Sequence, residues 1–65
     1  MARDRVRGRA VIVWPERPDR DGAPVDLLNK APGGDWIVKV REQYGQMSPA
    51  SRYRVPADKL KVQPP

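Results

Sequence analysis

Basic residues recur at every second position in three short stretches of this chain: Arg5, Arg7 and Arg9, then Lys39 and Arg41, then Arg52 and Arg54. A guanidinium grips phosphate or carboxylate through two parallel hydrogen bonds and stacks on planar rings. On extended backbone, residues two apart point the same way, so each stretch presents its cations on one face. The chemistry on offer is anion contact. Bond-making chemistry has much less to work with. The chain has no Cys and no His, which removes the thiol nucleophile, the usual neutral-pH proton carrier and the common zinc ligand sets. Ser48 and Ser51 flank Pro49-Ala50, with no base near them in sequence, and read as turn formers. Asp19 and Asp21 lack the remainder of a calcium loop. Gly33-Gly34 is not followed by the Lys-Ser/Thr of a phosphate loop. The expectation is a binding protein without cofactor or metal, and not an enzyme.

The elements that must position these cations are strands. Eight Pro and five Gly in 65 residues argue for short strands and turns rather than a helical bundle. From Arg5 to Trp14 the chain alternates. Val6, Gly8, Ala10, Ile12 and Trp14 fall on one face, and Arg5, Arg7, Arg9, Val11 and Val13 on the other. The Ala10–Trp14 half is apolar on both faces and is expected to be central and covered, ending at Pro15. Residues 16–34 form a long irregular loop, with Asp21-Gly22 as a turn signal. Within it, residues 25–30 suit either a short strand or one helical turn, with Leu27 or Leu28 folding back onto the core. Asp35 to Tyr44 is the clearest strand: Trp36, Val38, Val40 and Tyr44 share a face, opposite Ile37, Lys39 and Arg41. Gly45 to Pro49 reads as a hairpin loop and Ser51 to Val55 as a third strand. Pro56-Ala57-Asp58 reads as a tight turn. Leu60-Lys61-Val62 closes as a last strand, from which 62–65 run on as a tail.

The whole, residues 1–65, is expected to be one all-β domain of four to five short strands with one long early loop. With Trp36-Ile37-Val38-Lys39-Val40 followed by Tyr53-Arg54-Val55-Pro56-Ala57-Asp58-Lys59-Leu60-Lys61-Val62, it resembles the SH3-like small barrels. That group includes Tudor-like and KOW-like modules and the C-terminal domain of retroviral integrases. An OB-like barrel is the alternative. The resemblance implies a fold that hosts nucleic-acid binders, peptide binders and passive subunits, and it does not choose among them.

Charge narrows the choice. Residues 16–35 hold three basic residues against five acidic ones, a net of −2, and the rest of the chain holds ten against three, a net of +7. If the apolar faces make one core, the seven cations share the outside of one sheet. They would attract a polyanion and release its condensed counterions. Arg, Pro, Ala and Val enrichment also follows from GC-rich codon usage, and Arg-rich solvated faces are common. The preferred expectation is a small basic accessory protein that binds DNA or RNA through Arg5, Arg7, Arg9, Lys39, Arg41, Arg52 and Arg54, with little sequence specificity. The runner-up is a small structural or regulatory subunit of a larger complex. It would dock through the 16–35 loop and the Trp14 region, using Trp14, Glu16, Arg17, Asp19, Arg20 and Asp21. A basic sheet and an acidic loop would also allow self-association. The aromatics Trp14, Trp36, Tyr44 and Tyr53 lie in line with the valines, which favours core packing over base stacking. The longest apolar run, Ala10 to Trp14, is too short for a membrane span or a signal sequence, so a cytoplasmic location is expected.

Overall fold

The computed structural model describes residues 5–64, so the first four residues and Pro65, the last residue of the expected tail, lie outside it. It is all-β. Five antiparallel strands, β1 (Gly8–Ile12), β2 (Pro24–Lys30), β3 (Asp35–Val40), β4 (Tyr53–Pro56) and β5 (Leu60–Val62), form one curled half-barrel in the order β4-β3-β2-β1-β5. The first four strands follow one another as a meander, and β5 returns to the open side of β1. Short 3-10 turns at Pro32–Gly34 and Ala57–Lys59 link β2 to β3 and β4 to β5. Among the described residues no helix is long and apolar enough to cross a membrane.

Alternation builds the core. Ala10 and Ile12 of β1, Val25 and Leu27 of β2, Val38 and Val40 of β3 and Val55 of β4 are all buried and form one cluster with Ala23 and Met47. Each fully buried aliphatic side chain contributes about 1.5–3 kcal/mol relative to leaving it in water. Cross-strand partners line up within that layer: Ala10 with Val25, Val25 with Val40, and Leu27 with Val38.

The strand expected over Arg5–Trp14 is shorter. Val6, expected on the core face, is 51% exposed before β1 begins, and Val13 is 47% exposed, so the apolar run after Ala10 is not fully covered on its outer side. Residues 25–30 are a strand and not a helical turn, and β2 lies at the centre of the sheet. Alternation fails there for a physical reason. The register with β3 shifts between Leu27 and Asn29, and the extra residue at this bulge, Leu28, is 1% exposed. A bulge sets two residues of one strand against one of its partner, which lets consecutive leucines both be buried. β3 ends at Val40 rather than Tyr44. Beyond it Tyr44 and Met47 bridge each other and Met47 is buried, so the loop expected over 45–49 carries a core residue. Val62 belongs to β5 and pairs with Ala10, and the Gln63 N–H donates to the Arg9 carbonyl at 2.8 Å. The start of the expected tail is therefore part of the sheet.

Candidate functional site: the outer face of the sheet

Residues directly opposite one another in an antiparallel pair share a face. The outer face can therefore be read strand by strand, starting from Arg9 and Val11, which alternate with buried Ala10 and Ile12. Lys61 of β5 lies opposite Val11. Arg9 lies opposite Asp26 of β2, and Asp26 opposite Lys39 of β3, which gives one row across three strands. Ile37 of β3 lies opposite Arg54 of β4, and Asp35 opposite Pro56. Arg41, just beyond β3, reaches this face by donating from Nε to the Asp26 carboxylate at 3.1 Å. The face thus gathers Arg9, Lys39, Arg41, Arg54 and Lys61 around Asp26 and Asp35, five cations against two anions.

This is a smaller and more mixed array than the one expected. Arg9, Lys39, Arg41 and Arg54 come together on the outer face as alternation requires. Arg5 and Arg7 precede β1 and are exposed, and Arg7 is tied in by its N–H to the Leu27 carbonyl at 2.7 Å. Arg52 is exposed in the loop before β4. Two acids counted with the acidic loop belong instead to the basic face. Asp26 stands in the centre of β2, and Asp35 opens β3, where it accepts from Arg54 Nε at 2.7 Å. Arg54 also donates to the Pro32 carbonyl at 2.9 Å. The sheet and the loop are therefore not separate poles, because the sheet carries its own counter-charges. Lys61 is the contributor that sequence reasoning missed. Its signal was available, since it alternates with Leu60 and Val62 in the last strand.

At the β1–β5 side, Arg7, Gly8, Arg9, Val62, Gln63 and Pro64 line a groove. Val62 stands 61% exposed at its wall. The basic side chains Arg7 and Arg9 flank this groove, and among the described residues neither is joined to a carboxylate by an ion pair.

The loop proposed for a protein partner is ordered by its own bonds. Trp14 N–H donates to Asp21 Oδ1 at 2.8 Å, and Gly22 N–H to the Ile12 carbonyl at 2.7 Å. Tyr44 Oη donates to the Asp21 carbonyl at 2.6 Å and so ties the 41–52 loop to this one. Arg17 lies over the Trp14 ring at 5.4 Å, and Arg20 over the Tyr53 ring at 5.3 Å. Arg17 also pairs with Asp19 at 3.4 Å, and Glu16 with Lys59 at 3.7 Å. The Asp19 carboxyl is held below its ordinary range, chiefly by the Arg17 side-chain hydrogen bond. All four aromatic residues, Trp14, Trp36, Tyr44 and Tyr53, are half-buried and pack against the core cluster. The Tyr53 hydroxyl is further engaged as acceptor of the Ser48 N–H at 2.7 Å. Trp14, expected to belong to a partner-docking region, thus has its backbone held by Asp21 and its ring against the core with a guanidinium over it.

Comparison of the chain with protein-family models, with curated proteins and with solved structures finds no match.

Proposed function

We propose that this chain is a nucleic-acid-binding module that holds the phosphate backbone on the outer face of an SH3-like half-barrel, and that it works by binding rather than by catalysis. The consecutive pairing of β1 to β4 and the return of β5 to β1 after a single 3-10 turn support the SH3-like member of the small-barrel class over the OB-like one. The observation that carries the functional reading is the outer face itself. It holds five cations against two anions on one curved sheet, with Arg5 and Arg7 leading into it.

A field of that sign concentrates polyanions and speeds their association. Affinity would come from phosphate contact, with sequence left unread because nothing on the face reaches into a groove as a recognition element. Docking on a protein through the 16–35 loop draws less support. Of the groups that would make the contact, Trp14 packs against the core and has its N–H held by Asp21, Arg17 pairs with Asp19 and lies over the Trp14 ring, Arg20 lies over the Tyr53 ring, and Glu16 pairs with Lys59.

The test is equilibrium binding of mixed-sequence DNA and RNA at low and moderate salt. A protein that neutralises about four phosphates should lose on the order of 100-fold in affinity between 50 and 200 mM salt. Arg7→Ala with Arg9→Ala should weaken binding alike for every sequence tried. Failure to bind any nucleic acid at low salt would overturn the reading.

A further inference from the structure

We infer that the nucleic acid held on the outer face is double-stranded, an inference that rests on the phosphate-binding reading above. Two observations carry it. The first concerns aromatic rings. Binders of single strands stack successive bases on exposed aromatic side chains, and that stacking supplies much of their affinity. This chain has two Trp, two Tyr and no Phe, and all four rings pack against the core cluster. Trp36 lies opposite buried Val55 and Tyr53 opposite buried Val38, both on the inner layer. Trp14 and Tyr44 are held at the loop end by Asp21. The face that carries the cations therefore offers Val11, Pro24, Ile37 and Pro56 between them, and no ring to stack on.

The second observation is the breadth of the charge. The cations span from Lys61 on β5, through Arg9 on β1 and Lys39 on β3, to Arg54 on β4. Strands lie about 4.8 Å apart, so this array is roughly 19 Å wide. A single strand offers one line of phosphates to such an array. A duplex offers two, across a minor groove about 6 Å wide, and one charge per ~1.7 Å of axis instead of one per ~3.4 Å. A surface whose main instruments are cations spread in two dimensions is matched to the second arrangement.

The experiment compares one mixed-sequence DNA duplex with each of its separated strands, at the same low and moderate salt, while tryptophan emission is followed. The duplex is expected to bind at least about tenfold tighter and to show the steeper salt dependence. Tryptophan emission should stay unchanged on binding, because Trp14 and Trp36 remain against the core. Lys61→Glu, at an exposed position, should lower duplex affinity more than single-strand affinity. A separated strand that binds as tightly as the duplex overturns this inference and leaves the phosphate-binding reading standing. Quenching of tryptophan in step with single-strand binding does the same. If neither form binds, and an RNA duplex and its separated strands do not bind either, both fall.

Discussion

Gly22 shows how much one residue can decide in a chain this small. Its φ is +86°, and a Cβ placed there would lie 2.9 Å from the Tyr44 hydroxyl oxygen. Ordinary residues avoid that backbone region at roughly 1–2 kcal/mol, and the close approach adds to the strain. Gly22→Ala is therefore expected to destabilise the fold by about 2 kcal/mol in urea denaturation. Tyr44→Phe, which removes the hydroxyl that bonds the Asp21 carbonyl, should lose about 1 kcal/mol. In the Tyr44→Phe background the effect of Gly22→Ala should shrink, since the clashing atom is gone. Strictly additive losses would show that the two side chains do not meet. The Asp21-Gly22 pair is legible in the sequence as a turn. Its contact with Tyr44 is not, because nothing local says that a loop after β3 folds back over the loop after β1.

At the scale of the strand, legibility followed alternation and failed where alternation failed. The face of β3 that carries Lys39, the placement of Arg54 and the closing strand β5 can be read from period-two patterns, and Pro56 signals a tight turn over 56–58, which lies one residue later, at 57–59, because Pro56 ends β4. Strand β2 could not. Its bulge makes Leu27 and Leu28 both buried, and the pattern Val-Asp-Leu-Leu then fits a helical turn as well as a strand. The error carried into the charge map. Reading β2 as part of a loop assigns Asp26 to a remote acidic segment, whereas it sits between Arg9 and Lys39 and pairs with Arg41. That placement gives a sharp prediction. Exposed ion pairs contribute only about 0–1 kcal/mol, so Asp26→Asn should change stability little. It should nevertheless tighten nucleic-acid binding and steepen its salt dependence by about one phosphate, because it releases Arg41 and removes the central negative charge. Unchanged or weaker binding by Asp26→Asn would place the contact surface elsewhere.

For the whole molecule, the margin of stability is what limits the design. After conformational entropy is subtracted, a core of this size rarely leaves more than about 3–5 kcal/mol of net stability, and the chain has no Cys to form a disulfide. Ile12, fully buried among β1 and its neighbours, is a case in point. Truncation of a buried Ile to Ala removes about 2–5 kcal/mol. Ile12→Ala is thus expected to leave the chain largely unfolded at 25 °C, seen as loss of the cooperative transition in thermal denaturation. A variant that still melted near the parent temperature would show that the core tolerates a cavity there. The same arithmetic gives ligand a stabilising role. Saturating duplex DNA, binding only the folded form, should raise the melting temperature in proportion to the logarithm of its concentration.

The return of β5 to β1 also bears on how the chain is made. Strand β1 leaves the ribosome before any of its partners, and β5 leaves after all of them. During that interval β2 covers one side of β1 while the other side, with its unpaired N–H and C=O groups, stands open as a template for a neighbouring nascent chain. Charged side chains along such an edge discourage strand addition. Arg7 and Arg9 flank that border of the sheet, so the charges proposed here for holding phosphate would, earlier in the life of each molecule, repel its own siblings.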